Sequence, residues 1–164
     1  MKKRILSFVT LLMMLFSMVI PIGAETNIEV SNVADEVSVV YYDDGSYLTI
    51  YPVTVENVST TRGSIQQLTA SKPVTLTDSS GNLEWEYTLN AEFTVVYGSD
   101  SYCLNAHYIQ NIYQSGWTFS DGNAYFSDNV ATGLGKYVKK VLFVTTKTYN
   151  INITLTCDIY GNVT

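Results

Sequence analysis

The sequence predicts an all-β protein, an antiparallel β-sandwich with about seven to nine strands. Three observations support this fold class. Between Trp85 and Tyr97 every second residue is apolar or aromatic, which is typical of a strand with one buried face. The chain has 13 tyrosines and many threonines, valines and isoleucines, all of which favour strands. Turn-forming Asp, Asn, Ser and Gly residues recur at short intervals, for example at 43–46 and 78–82.

The first 24 residues predict a secretory signal peptide. Three basic residues at 2–4 precede an uncharged apolar run at 5–20, and the small residue Ala24 comes just before polar sequence. The apolar run is short for a helix that crosses the ~30 Å hydrocarbon core of a bilayer. We therefore expect cleavage after Ala24 and one secreted, extracellular domain over 25–164. An uncleaved N-terminal anchor is the alternative.

Alternating apolar and polar residues, together with turn-forming residues, predict where each strand begins and ends along the chain. A first hairpin is predicted around the turn at 43–46, and Pro52 suggests an edge or a bulge in its second arm because proline cannot donate a ladder hydrogen bond. A second hairpin surrounds the turn at 98–100, and a third closes the chain with clean alternation over 149–157. The polar stretch 55–70 is predicted as a loop or a short helical turn. The predicted strands are 37–42, 47–55, 72–77, 85–97, 101–113, 124–130, 136–145 and 149–157.

The charge balance argues against two classes of partner. The full chain has a formal net charge of −6, and without the three basic residues at 2–4 this becomes −9. Such an acidic domain is a poor match for nucleic acid or for an anionic membrane, and after cleavage no apolar run remains that could stay inserted in a bilayer. The C-terminal part concentrates lysines, which either pair with acidic residues of the same chain or contact an anionic partner. These candidate contacts are Lys136, Lys139, Lys140 and Lys147.

The chain has two cysteines, Cys103 and Cys157, and both fall in predicted strands. In an exported protein this predicts a disulfide bond between a middle strand and the last strand. Such a bridge would close a long loop and stabilise the fold by up to about 4 kcal/mol. Two buried free thiols or a metal-binding pair are the alternatives, although one distant histidine adds little to a metal site.

We expect Trp85 to pack near this bridge, which gives the predicted sandwich an immunoglobulin-like architecture. In antibody domains the buried tryptophan lies between the two cysteines in sequence. Trp85 precedes both Cys103 and Cys157, so the connectivity of the strands is predicted to differ from that fold.

Catalytic signatures are missing from the sequence. The single histidine, His107, lies within a predicted strand, where a packed or rim residue is more usual than a general base. Glu84, Glu86 and Glu92 could supply the carboxylate pair of a glycoside hydrolase. However, Glu86 and Glu92 fall on the outer face of the Trp85 strand, where solvated charge is the expected role. We therefore predict no catalytic residues.

Two acidic turns offer oxygen ligands of the kind that Ca²⁺ uses. They are Asp43-Asp44 and the segment 78–82, and ordinary turn chemistry explains both equally well. We predict no metal site and no cofactor.

The chain has more tyrosines than a core of this size needs, and several of them fall in the first predicted hairpin. Exposed tyrosine rings combine an apolar face with a polar tip, which suits contacts with sugars or proteins. The candidate binding residues are Tyr41, Tyr42, Tyr47 and Tyr51.

The C-terminal half has a set of short motifs that carries a resemblance to a known class of proteins. The motifs are Trp85-Glu86-Tyr87, Cys103, Lys136-Tyr137-Val138-Lys139-Lys140-Val141-Leu142, Thr146-Lys147, Leu155-Thr156-Cys157-Asp158 and Gly161-Asn162. Over residues 83–164 the chain resembles small exported domains of unassigned function from Gram-positive bacteria. The resemblance implies an extracellular, disulfide-closed β domain, and it transfers no activity and no site residues.

These observations favour a secreted extracellular binding or interaction module. Its expected partner is a cell-wall glycan or an extracellular protein. A small secreted effector, such as an antibacterial protein or an inhibitor, is the second hypothesis, and a carbohydrate-active enzyme is the third.

Overall fold

The computed structural model describes residues 24–30, 36–61 and 65–164. Within these ranges the chain forms ten strands, and it contains no helix that could span a membrane. The strands are β1 (Ala24–Val30), β2 (Ser38–Tyr41), β3 (Tyr47–Ile50), β4 (Thr54–Thr61), β5 (Ile65–Thr77), β6 (Leu83–Val96), β7 (Asp100–Ile112), β8 (Trp117–Ser127), β9 (Val130–Val141) and β10 (Val144–Thr156). The predicted all-β sandwich is confirmed, while its immunoglobulin-like architecture stays a prediction.

The strands form two sheets. Sheet A has the strand order β1-β10-β9-β8, and sheet B has the order β2-β3-β5-β6-β7. Strand β4 lies on the same edge of β5 as β3, because β5 is long enough to pair with both. The break between β3 and β4 contains Pro52, in agreement with the predicted interruption of the ladder.

Strand β6 is the centre of sheet B and has the predicted alternation. Its inward side chains form the middle of the core and are fully buried, while the residues between them face outward. The inward residues are Trp85, Tyr87, Leu89, Ala91, Phe93 and Val95. Burial of each large apolar side chain of this row stabilises the fold by about 1.5–3 kcal/mol.

The two sheets approach closely where Tyr87 crosses the core. A Cβ atom added to Gly133 would lie 2.9 Å from the Tyr87 hydroxyl, and one added to Gly135 would lie 2.9 Å from the Tyr87 ring. The hydroxyl donates to the Leu134 carbonyl at 3.0 Å, so the buried polar tip is satisfied. The two glycines of β9 therefore make room for a tyrosine of the opposite sheet.

Four aromatic rings fill one end of the core. Trp85 stacks on Tyr137 with ring centroids 4.2 Å apart, and it contacts Trp117 and Tyr149 edge-on. This position corrects the expectation that Trp85 packs near the cysteines. Cys103 of β7 is opposite Phe93, roughly 25 Å further along β6 at the rise of an extended strand.

The prediction of a loop or helical turn over 55–70 is wrong. Strands β4 and β5 form a hairpin there, with Thr54 opposite Ser71 and Thr61 opposite Ile65. The inward positions of this part of β5 are Gln66, Leu68, Ala70 and Lys72, and the two polar residues among them conceal the alternation.

Strand β1 was not among the predicted strands. It pairs with β10 in parallel, from Ala24 opposite Lys147 to Val30 opposite Ile153. Ala24, the last residue of the predicted signal peptide, belongs to this strand, and positions 1–23 of that prediction lie outside the described residues.

The hairpin of β9 and β10 is confirmed, but its turn differs from the predicted one. The turn consists of Leu142 and Phe143, both with positive φ.

The prediction of a disulfide bond is wrong in this structure. Cys103 and Cys157 are buried free thiols, which was one of the alternatives. Each thiol donates to a backbone carbonyl instead, Cys103 to Asn105 at 3.3 Å and Cys157 to Asp158 at 3.5 Å. Burial raises the pKa of Cys103, and burial followed by the nearby Asp158 raises the pKa of Cys157 to about 11.

Candidate functional site

A concave trough lies on the outer face of sheet B, near the end of the sandwich that holds the aromatic core cluster. Its volume of about 430 Å³ falls in the range of small-ligand sites. The break between β3 and β4 forms one wall, and β5 and β6 form the floor. The lining residues are Tyr51, Pro52, Thr54, Pro73, Thr75, Leu83 and Glu86. We call this the sheet B trough.

The local backbone explains why the wall and the floor meet. Tyr51 leaves β3 and its amide donates to the Pro73 carbonyl at 3.1 Å, which holds the wall against β5. Pro52 then prevents continuous pairing, so the chain bends before β4 begins. Thr75 and Glu86 are register partners on β5 and β6, which places both side chains on the outward face of the floor.

Glu86 supplies the charge of the trough. Its Oε2 accepts a hydrogen bond from the Tyr113 hydroxyl at 2.9 Å, and its Oε1 accepts a longer one from Thr88 at 3.4 Å. The hydrogen bond to this carboxylate raises the pKa of Tyr113, because it stabilises the phenol over the phenolate. Tyr113 is half exposed. The site therefore combines a carboxylate, threonine hydroxyls, proline rings and tyrosines on either side of the floor.

The four predicted binding tyrosines do not form one surface. Tyr51 lines the trough. Tyr41 is 75% exposed and lies beside Tyr47, with ring centroids 5.7 Å apart. Tyr42 turns inward against Tyr149 at 5.5 Å, and burial raises its pKa to about 12. Neighbouring strand residues face opposite sides, so Tyr41 and Tyr42 could not both have contributed to one face.

The four predicted lysines mostly pair with the acidic part of the same chain. Lys147 forms an ion pair with Asp44, and Lys136 is 3.9 Å from Glu25. Lys139 is 2.5 Å from Glu84. Lys140 is exposed, and it forms no ion pair with any residue in the described ranges. The intramolecular alternative therefore accounts for three of the four.

The Glu84–Lys139 pair depends on a β-bulge. The register between β5 and β6 shifts at Leu76/Thr77, so Glu84 has no partner on β5 and its side chain turns inward beside Trp85. The Lys139 ammonium lies 5.2 Å from the Trp117 ring centroid, which adds a cation–π contact. This cluster links the two sheets and is not open to a ligand, since Glu84 is only 3% exposed.

The three glutamates do not form the pair that glycoside hydrolysis needs. Glu84 faces inward, and Glu86 and Glu92 are separated along β6 by roughly 20 Å at the rise of a β-strand. Glycosidase carboxylates lie about 5–10 Å apart. His107 of β7 is exposed and lies opposite Asn90, not in the trough.

The acidic turns use their carboxylates to fix their own backbone. Asp78 Oδ1 accepts from the amides of Ser80 and Asn82 at 2.8 Å. Asp158 repeats this pattern at a second Asp-x-x-Gly-Asn turn, 158–162. These hydrogen bonds lower the pKa of both aspartates. In the described part of the chain no three His, Cys, Asp or Glu side chains are grouped as a metal site requires.

No family model, no curated protein and no solved structure matches this chain.

Proposed function

We propose that the chain is a secreted, extracellular binding module that recognises a cell-wall glycan in the sheet B trough. The observation that carries this proposal is the trough itself, which is lined by the Tyr51 ring together with the Thr75 hydroxyl and the Glu86 carboxylate of the floor. Tyrosine rings pack on the apolar faces of sugar rings, and the floor oxygens accept hydrogen bonds from sugar hydroxyls. The resemblance to small exported domains of Gram-positive bacteria supports the extracellular location.

Recognition is favoured over catalysis by the positions of the carboxylates. Glu86 is the carboxylate of the trough, and the other two glutamates of the strand are too far away or face inward. A single carboxylate that already accepts a hydrogen bond from Tyr113 is suited to orient a ligand.

Binding to purified cell walls and to a panel of glycans tests the proposal. We expect Tyr51→Ala to weaken binding about tenfold or more, since aromatic anchors dominate such contacts. Tyr41→Ala is the matched control, because Tyr41 is exposed but lies outside the trough. Circular dichroism of each variant checks that the fold persists. If nothing binds, or if both variants lose binding equally, the trough is not the site.

A second candidate function is that of a small secreted effector that contacts another protein. The tip of the β9–β10 hairpin favours it, because Leu142 is 87% and Phe143 100% exposed. Large apolar side chains at a convex tip are suited to insert into an apolar pocket of a partner. Loss of partner capture by Phe143→Ser, with glycan binding unchanged, would support this candidate.

A further inference from the structure

We propose that the sheet B trough selects a ligand that carries protonated amines, so that its glycan is one with free amino groups rather than N-acetylated ones. This inference rests on the proposed function and specifies the chemistry of the ligand. Three properties of the trough and its surroundings carry it.

The first property is an uncompensated charge. The Glu86 carboxylate accepts hydrogen bonds from two hydroxyl groups, of Tyr113 and Thr88. Hydroxyl donors satisfy lone pairs but do not neutralise the charge. None of the ion pairs in the described ranges involves Glu86, in contrast to Glu84, which has Lys139. An ammonium group of a ligand would complete this site with a charge-assisted hydrogen bond.

The second property is the charge of the whole face. Three glutamates point outward from sheet B: Glu56, Glu86 and Glu92. Each lies opposite a polar residue of the neighbouring strand, which is Thr69, Thr75 and Asn105 respectively. No Lys or Arg of the described residues lies on this face. Lys72 of β5 points into the core, and the other described lysines are on β9 and β10 of sheet A. The field over the trough therefore attracts cations and repels anionic polymers.

The third property is the chemistry of the rings. The face of a tyrosine ring carries partial negative charge and attracts an ammonium group by about 0.5–2 kcal/mol. Tyr51 lines the trough, and Tyr113 is held beside it by its hydrogen bond to Glu86. Tyrosine rings and a carboxylate are groups that recognise ammonium ions. An N-acetyl group is uncharged, so it can form neither a cation–π contact with the rings nor an ion pair with the carboxylate.

A matched pair of ligands tests the inference. A glucosamine tetrasaccharide and its fully N-acetylated counterpart are titrated against the protein by calorimetry at mildly acidic pH, where the free amines are protonated. We expect the free-amine form to bind about tenfold or more tightly. Its binding should weaken as salt is added, because charged contacts are screened.

A matched pair of variants locates the effect. Glu86→Gln keeps the shape of the trough and removes its charge, so the preference for the free-amine form should fall to near unity. Glu92→Gln removes the same charge from the same face outside the trough, and should keep most of the preference. Neither side chain is buried in the core, so both variants should fold.

The other outcomes separate the two proposals. Equal affinity for both tetrasaccharides would overturn the inference and leave the glycan-binding function standing. Equal loss in both variants would also overturn it, because the selectivity would then come from the general field. Binding of neither tetrasaccharide, together with no binding to cell walls, would remove the proposed function as well.

Discussion

Lys72 lies on the inward face of β5 and is fully buried, and its ammonium has no hydrogen-bond partner among the described residues. Leu68, Ala70, Val74 and Leu76 share this face. Burial lowers the pKa of Lys72, because the charged form loses its hydration. A lysine at such a position lowers the stability of the fold at every pH at which its amine is protonated in the unfolded chain, because folding must then bury or remove that charge.

The sign of the pH dependence follows from this lowered pKa. Between the folded-state pKa of Lys72 and the unfolded value of about 10.4, the unfolded chain binds more protons, so stability rises with pH. Lys72→Met should therefore stabilise the fold by about 1–3 kcal/mol at neutral pH, and by less as the pH approaches about 10. Urea unfolding at several pH values measures this, with the exposed Lys140→Met as a control near zero. A destabilised Lys72→Met at every pH would mean that the amine has a partner in the folded protein.

The cysteines give a second prediction at the scale of single residues. Burial and a raised pKa both make a thiol slow to react, since the thiolate is the nucleophile. We expect iodoacetamide to label Cys103 and Cys157 slowly in the folded protein and rapidly after unfolding without reductant. Mass spectrometry distinguishes the states. Failure to label the unfolded, unreduced protein would show that Cys103 and Cys157 are joined by a disulfide bond.

At the scale of elements, the β9–β10 hairpin departs from the usual turn chemistry. Val141 and Val144 are paired, so Leu142 and Phe143 form the two-residue turn, with φ of 49° and 69°. Positive φ at both positions is typical of a type I′ turn, in which Asn-Gly is preferred. Bulky residues are strained there by about 1–2 kcal/mol each. The full exposure of Phe143 shows that packing within the domain does not offset this strain.

Replacing Leu142-Phe143 by Asn-Gly should therefore stabilise the domain by about 1–2 kcal/mol, measured by chemical unfolding. Asp128→Gly is the control at a second positive-φ position, where the gain should be smaller because aspartate tolerates this conformation. A loss of stability in the Asn-Gly variant would contradict the strain argument.

A strand could be predicted from the sequence where its inward face is apolar throughout, and it was missed where polar residues or a bulge interrupt that pattern. The alternation of β6 is visible because its inward face is apolar without interruption. The first half of β5 is hidden because Lys72 occupies an inward position and the residues before it are mostly polar. Strand β8 begins earlier than predicted because a bulge between Phe119 and Asp121 places a turn-like Ser-Asp-Gly-Asn sequence inside a strand.

The candidate site was only partly predictable for a related reason. Tyr51 and Glu86 could be singled out as an accessible aromatic and an outward-facing carboxylate. Their convergence depends on the register of β5 with β6 and on the hydrogen bond between Tyr51 and Pro73. No local pattern specifies either, because register is set by the packing of the whole sheet.

At the scale of the whole molecule, the parallel pairing of β1 with β10 sets the order in which the fold can be completed. Glu25 and Asn150 are 125 residues apart in sequence, yet their side chains are hydrogen bonded at 2.7 Å. A contact of such sequence separation forms late, because the entropy of closing the loop opposes it until the intervening strands have folded. Strand β10 therefore has one unpaired edge until β1 has returned to it. Strand β1 in turn stays without a partner strand until β10 has been synthesised.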